Sequence, residues 1–133
     1  NSYKSSDAIN SLKWDTRKSN MATVNYYKGL IALRKAHPAF RMTTTEQVKS
    51  NLKFSNSPDG TIVYTLNGAA VKDKAATIVV IHNANVAEQS ISLPKGGSWS
   101  VLVDNGKAGV SVIRKVTGDT LKVAGRTTVV LTQ

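Results

Sequence analysis

Residues 76–83 read Ala-Thr-Ile-Val-Val-Ile-His-Asn, and this stretch decides the fold of the chain. Its four central residues, 78–81, are all β-branched and apolar, so an extended strand built from them is hydrophobic on both faces. The turn-forming run Asn83-Ala84-Asn85 follows directly. The stretch therefore predicts a central strand that is covered on both sides.

Short segments of the same kind continue on either side of this strand. Apolar residues alternate in 61–66 and 99–103, and runs rich in Gly, Pro, Asn and Asp separate one segment from the next. The pattern predicts strands over residues 53–54, 61–66, 76–83, 89–93, 99–104, 110–116 and 127–131, with a short helical turn at 45–48. Short strands with frequent turns predict an antiparallel β-sandwich over residues 41–133.

Before residue 41 apolar residues recur every three to four positions instead of every two, which is typical of a helix. The pattern predicts one amphipathic helix from Met21 to Ala36, ended by Pro38. Its predicted apolar stripe consists of Val24, Tyr27, Leu30, Ile31 and Leu33. One helix and a polar loop cannot form a core, so we expect residues 1–40 to belong to a neighbouring domain supplied by upstream chain.

The composition excludes several classes of site. The 133 residues include no cysteine, which excludes disulfides, thiolate zinc sites and a cysteine nucleophile. The 18 Lys and Arg residues outnumber the 8 Asp and Glu residues, giving a net charge of +10. These cations are scattered and no nucleic-acid-binding motif accompanies them, which favours a solvated basic surface over a nucleic-acid site. No apolar run approaches the roughly 18 residues that a membrane span needs.

Catalytic motifs are equally scarce. His37 and His82 are the two histidines, and we interpret them as residues that close a helix and a strand. The sequence contains no G-x-S-x-G, no H-E-x-x-H, no EF-hand loop and no glycine-rich phosphate loop. We therefore predict no catalytic residue and no metal site on this chain.

The first 14 residues form a polar stretch with the composition of a sugar-binding loop. Asp7 and Asn10 offer side chains that exchange paired hydrogen bonds with vicinal hydroxyls, and Tyr3 and Trp14 offer rings that stack on sugar faces. Composition and spacing alone favour the other interpretation, an ordinary loop whose Trp14 packs into a core. The order of the residues separates the two interpretations.

That order resembles the end of the type I pullulanases, starch-debranching enzymes of the α-amylase superfamily, glycoside hydrolase family 13. The resemblance is carried by Asp7-Ala-Ile-Asn10, by Trp14-Asp15 and above all by residues 26–42, Tyr-Tyr-Lys-Gly-Leu-Ile-Ala-Leu-Arg-Lys-Ala-His-Pro-Ala-Phe-Arg-Met. Residues 123–131 are similar to the last strand of the family's C-terminal sandwich. The resemblance implies that residues 1–40 are the last loop and helix of a (β/α)8 barrel and that residues 41–133 are the C-terminal β-sandwich.

The implied activity is hydrolysis of α-1,6-glucosidic bonds in pullulan, amylopectin and limit dextrins, with retention of configuration. The family's catalytic carboxylates lie on earlier barrel strands, so the chain alone is expected to be inactive. The resemblance places Asp7 and Asn10 at glucose-binding subsites and makes Tyr3 a further stacking candidate, with Trp14 packed under the loop. Ser11 departs from the arginine common in related amylases at that position.

The resemblance also implies the surroundings of the chain. It implies a bacterial enzyme that is secreted or held at the cell surface, an upstream portion of the same enzyme as partner, an α-glucan substrate, and no nucleic acid or membrane. It implies no cofactor on this chain and allows calcium in the full-length enzyme. Two alternatives are a stand-alone carbohydrate-binding sandwich and another debranching enzyme of the superfamily. Against the first, Tyr64 and Trp99 are expected in the core, which leaves no exposed stacking platform.

Overall fold

The computed structural model describes residues 2–95 and 97–133. Asn1 and Gly96 lie outside these described residues. Within them, the helices are α1 (Asp7–Asn10), α2 (Thr16–Ser19), α3 (Met21–Ala36) and α4 (Thr45–Asn51), with 3-10 turns at Pro38–Arg41 and Ala69–Val71. The strands are β1 (Leu52–Ser55), β2 (Thr61–Asn67), β3 (Thr77–Asn83), β4 (Gln89–Ser92), β5 (Ser98–Asp104), β6 (Lys107–Ala108), β7 (Arg114–Thr117), β8 (Thr120–Val123) and β9 (Thr127–Thr132).

The strands form two antiparallel sheets, so the expectation of a mainly β, sandwich-like fold is confirmed. The large sheet has the order β1-β2-β3-β9-β5-β6, and β7 also pairs with β5. The small sheet consists of β4 and β8. Thus β3 lies inside the large sheet, between β2 and β9.

Strand β3 buries side chains on both faces of the large sheet, as its apolar run predicts. Val79 and Ile81 face the small sheet and join the sandwich core, whose members are Val63, Val79, Ile81, Ile91, Leu93, Trp99, Val101, Leu121, Val123, Val129 and Leu131. Ile78 and Val80 face the other way and join the helix-side core, whose buried members are Leu33, Ala39, Leu66, Ala75, Ile78, Val80, Leu102, Val103 and Val130. Strand β3 is therefore shared by two cores.

Helix α3 covers part of the second face, and its ends agree with the predicted ones. His37 follows it in an extended conformation, with φ −118° and ψ 101°, as expected for the residue before a proline. No helix among the described residues is long and apolar enough to cross a bilayer.

The strand prediction is wrong in one region. Residues 110–116 were expected to form one strand, but only Arg114–Thr117 does so, and residues 109–113 form an irregular connection. Val110 and Val112 are about half exposed there, at 46% and 50%, so their apolar character does not reflect a sheet face. The strands β6 and β8 were not predicted. Strand β6 has only two residues and so shows no alternation, whereas the alternation of Leu121 and Val123 in β8 was missed.

Candidate functional site

The predicted sugar-binding residues Tyr3, Asp7 and Asn10 lie together on one exposed loop. Asn10 closes this loop, because its Nδ2 donates to the carbonyl oxygens of Ser2 and Ser5 at 2.9 and 3.0 Å. Both amide hydrogens of Asn10 are therefore used inside the loop. Its Oδ1 atom is the group that remains to accept a hydrogen bond from a ligand.

Asp7 lies in the first turn of α1, and its side chain is exposed. The ring of Tyr3 is also largely exposed, at 81%. The exposed positions of both side chains are compatible with contact to a ligand. Whether Asp7, Asn10 and Tyr3 bind glucose stays a prediction.

The expectation that Trp14 packs under the loop is wrong within the described chain. Trp14 is 75% exposed, as are Leu12 at 77% and Ile9 at 66%. None of residues 2–20 is buried. Local hydrogen bonds hold this segment, and its apolar side chains Ile9, Leu12 and Trp14 are exposed.

Helix α3 has two apolar faces, which corrects the single predicted stripe. Leu33 is buried in the helix-side core, and Tyr26 and Leu30 pack against it. Tyr27 and Ile31 point away from the sheet and are 63% and 58% exposed. Leu30 therefore belongs to the sheet-facing side and not with Tyr27 and Ile31, because positions 26, 30 and 33 lie on one side of an α-helix.

Gly29 brings α3 close to the edge of the sheet. A β-carbon at position 29 would overlap the carbonyl oxygen of Ala108 in β6. Glycine in the middle of a helix costs about 1 kcal/mol relative to alanine. Here it allows the backbones of α3 and β6 to approach each other closely, which explains its presence.

A buried His–Asp pair ties the end of α3 to the connection between β2 and β3. His37 Nδ1 lies 2.8 Å from Asp73 Oδ1, and the two side chains are 1% and 0% exposed. Asp73 also accepts hydrogen bonds from the backbone N–H groups of Ala39 and Ala75, each at 3.0 Å. Burial raises the pKa of the Asp73 carboxyl, but these hydrogen bonds and His37 outweigh it and hold the pKa below its usual value. His37 is thus a helix-end residue, as predicted, and its buried partner was not predicted.

A cavity of about 290 Å³ opens between α3 and the large sheet. Aromatic and apolar side chains line most of it, together with Arg34, His82 and Thr128. His82 Nδ1 lies 2.9 Å from Thr128 Oγ1. Burial lowers the pKa of His82 and raises the pKa of Tyr64, so it favours the neutral form of both rings.

The large sheet exposes one aromatic ring, although no exposed stacking platform was expected. Trp99 is fully buried, as predicted, and Tyr64 is half-buried. Phe54 is 73% exposed and meets the ring of Tyr64 edge-on, with centroids 5.9 Å apart. In the part of the chain that the structure describes, no group of three or more His, Asp or Glu residues is arranged to hold a metal ion.

Comparison with known proteins identifies the class of fold. Residues 48–107 match the family model of the pullulanase all-beta domain. The chain is 38% identical over 104 residues to the pullulanase of Bacillus subtilis strain 168, a match that covers 78% of this chain and 14% of that protein. The sandwich is therefore an all-β domain of pullulanase type.

Solved structures extend the similarity to the helix and the loop. The pullulanase of Bacillus acidopullulyticus matches 100% of this chain and 16% of its own, with a TM-score of 0.93 and 33% identity. The type I pullulanase of Bacillus subtilis, solved with maltose, matches 99% of this chain and 18% of its own, with a TM-score of 0.88 and 34% identity. The chain belongs to the pullulanase family and corresponds to the C-terminal region of its members. It spans less than one fifth of the length of these relatives.

Proposed function

We propose that this chain is the C-terminal part of a secreted, bacterial starch-debranching enzyme that hydrolyses α-1,6-glucosidic bonds in pullulan, amylopectin and limit dextrins with retention. The observation that supports this most directly is the match to the B. acidopullulyticus pullulanase over the whole of this chain. The B. subtilis relative binds maltose in its crystal structure, which supports an α-glucan substrate.

In this proposal the two parts of the chain have different tasks. Residues 1–40 complete the catalytic (β/α)8 barrel, and residues 41–133 form the C-terminal domain that supports it. Barrel enzymes build their active sites from loops at one end of the barrel, so the loop around α1 contributes to the substrate cleft. The two carboxylates of a retaining glycosidase, about 5–5.5 Å apart, are supplied by upstream chain, and so is any calcium site.

A chimeric enzyme tests the proposal. This chain replaces the matching C-terminal region of the B. acidopullulyticus pullulanase, and the product is hereafter called the chimera. We expect the chimera to release maltotriose from pullulan, because the folds superpose over the full length of this chain. Because the host enzyme supplies the catalytic carboxylates, this test reports whether the chain completes a working barrel and cleft. A folded chimera that does not hydrolyse pullulan would contradict that role.

Replacing Asp7 by alanine in the chimera tests the proposed binding loop. We expect kcat/KM for pullulan to fall about tenfold to a hundredfold, the effect of losing one or two charge-assisted hydrogen bonds to substrate. Asp15→Ala is the matched control, since Asp15 is an exposed acid of the same segment that pairs with Lys18 at 3.4 Å. Equal activity of the Asp7 and Asp15 variants would remove Asp7 from the cleft.

The outward face of α3 offers a second test, because the proposal places the barrel against it. Tyr27 and Ile31 are exposed in this chain, so hydroxyl-radical footprinting should modify both when the chain is alone. In the chimera we expect both to be protected, while the exposed Val86 stays reactive as an internal standard. Undiminished modification of Tyr27 and Ile31 in a folded chimera would show that the barrel does not pack there.

A further inference from the structure

The chain contains two Asn-Gly dipeptides, and the fold places them in different surroundings. Asn67-Gly68 stands at the end of β2, and Asn105-Gly106 connects β5 to β6. An asparagine side chain is most open to attack by the next backbone nitrogen when glycine follows, because glycine has no side chain to shield that nitrogen. The two dipeptides therefore allow a comparison, within one molecule, of how the fold controls this reaction.

Asn105 and Gly106 form a two-residue hairpin turn that carries no packing. Their φ angles are 44° and 75°, both in the left-handed region, which is typical of a type I′ turn. The strands pair Asp104 with Lys107 on either side of the turn, and among the described residues no acceptor takes the Gly106 N–H. Both turn residues are exposed, and a β-carbon at Gly106 would meet no atom beyond its chain neighbours within 4 Å. Nothing packed on this turn therefore resists its local opening.

Asn67-Gly68 is held by hydrogen bonds on both sides of its peptide bond. The Gly68 N–H donates to the carbonyl oxygen of Ala76 at 2.9 Å, and Asn67 Oδ1 accepts from the backbone N–H of Ala70 at 3.3 Å. Gly68 is buried, and a β-carbon there would overlap the carbonyl oxygen of Ala75. The attacking nitrogen is thus bonded and buried at this site, and the side chain that it would attack is fixed.

We propose that Asn105 is a site of spontaneous deamidation in the folded chain and that the fold protects Asn67 from the same reaction. The Gly106 nitrogen loses its proton and attacks Cγ of Asn105, which closes a cyclic imide. The bond from Cγ to the side-chain nitrogen breaks, and that nitrogen leaves with the proton as ammonia. Water then opens the ring at either of its two carbonyl carbons and gives aspartate or isoaspartate. Water is the co-reactant, and the inference does not depend on the proposed function.

The two products change the hairpin in different ways. Aspartate keeps the backbone as it is and lowers the net charge of +10 by one. Isoaspartate carries the backbone through the side-chain methylene, so the loop gains one backbone atom and no longer matches a two-residue turn. Ala108, whose carbonyl oxygen lies against Gly29 of α3, stands just beyond this turn. We therefore expect isoaspartate at position 105 to loosen the contact between β6 and α3.

Incubation of the folded chain in a mildly alkaline buffer tests the proposal, because the attacking nitrogen must lose its proton. Peptide mapping by mass spectrometry, with electron-transfer dissociation to separate aspartate from isoaspartate, follows both dipeptides in one sample. We expect Asn105 to react at least about tenfold faster than Asn67, because local unfolding must first release Asn67. Circular dichroism measured through the incubation verifies that the chain stays folded.

The same chain in denaturant is the matched control. Without the fold, both Asn-Gly dipeptides are accessible and should react at rates that agree within about twofold. Equal rates at Asn67 and Asn105 in the folded chain would overturn the proposal. The proposal would also be wrong if Asn105 stayed intact in the folded chain for the time in which both dipeptides of the denatured chain are converted.

The effect on the hairpin is measured against the variant Asn105→Asp, which carries the new charge on an unaltered backbone. The Gly109 N–H donates to the carbonyl oxygen of Leu102 at 3.1 Å, so its hydrogen exchange reports the pairing of β5 with β6. We expect this amide to exchange at least about tenfold faster in the isoaspartate form than in Asn105→Asp, because the lengthened turn opens more readily. Equal exchange in the two would contradict the loosening of the hairpin.

Discussion

Replacing Asp73 by alanine is expected to lower the free energy of unfolding of this chain by about 3–5 kcal/mol, the usual cost of removing one partner of a buried pair. The carboxylate accepts from His37 at 2.8 Å and from the backbone N–H groups of Ala39 and Ala75 at 3.0 Å. Its loss leaves three buried donors without an acceptor. Denaturant unfolding at pH 7 measures the change.

The effect of Asp73 should depend on pH. Because the pKa of Asp73 is lowered in the folded chain, its contribution to stability is present above the ordinary carboxyl pKa. That contribution is lost as the pH falls through the folded value. The difference between wild type and Asp73→Ala should therefore stay constant from pH 7 down to the ordinary carboxyl pKa of 3.8 and shrink below it.

Two variants control this prediction. Asp73→Asn keeps an amide oxygen that accepts hydrogen bonds and should lose less stability than Asp73→Ala, with a weaker dependence on pH. Asp119→Ala removes an exposed acid and should change the free energy of unfolding by less than about 0.5 kcal/mol. A loss below about 1 kcal/mol for Asp73→Ala would show that the pair does not hold α3 to the connection between β2 and β3.

Replacing Gly29 by alanine is expected to destabilise the chain by about 1–3 kcal/mol, the usual cost of overpacking. Helix propensity alone predicts the opposite sign, because alanine stabilises a helix interior by about 1 kcal/mol relative to glycine. The steric effect should dominate because the new β-carbon overlaps the carbonyl oxygen of Ala108. That oxygen belongs to the backbone, which yields less readily than a flexible side chain.

The sign of the change in stability for Gly29→Ala shows whether overpacking or helix propensity dominates. The variant Ala32→Gly measures the effect of helix propensity alone. Ala32 is exposed on the same helix, so this variant reports propensity alone and should lose about 1 kcal/mol. Thermal unfolding of both variants, with circular dichroism as the probe, gives the comparison. A stabilised Gly29→Ala variant would mean that α3 does not touch β6 in solution.

The sequence predicts the parts of this fold that have a local signal. Helix α3 is predicted with its observed bounds, because Pro38 and the change of apolar period mark its end. Strand β3 is predicted as a strand buried on both faces, because four consecutive apolar β-branched residues are typical of a central, fully covered strand. Both signals depend on residues that are adjacent in the chain.

The errors concern contacts between distant residues. His37 and Asp73 are 36 positions apart. The residues next to Asp73 in the sequence do not indicate that its side chain is buried. Both sides of α3 are apolar, so periodicity could not tell the side that packs on the sheet from the side with Tyr27 and Ile31. Phe54 is an aromatic residue of the kind usually found in cores. It is exposed because β1 lies at the edge of the sheet, which the sequence does not show.

The position of β9 has a consequence for biosynthesis. This strand is the last of the described strands along the chain, yet it lies between β3 and β5 and pairs with both. While the ribosome is still translating it, β3 and β5 each present an unpaired hydrogen-bonding edge. Those edges remain open to wrong pairing until residues 127–132 have left the exit tunnel. A truncation there would remove the middle of the sheet and not its border.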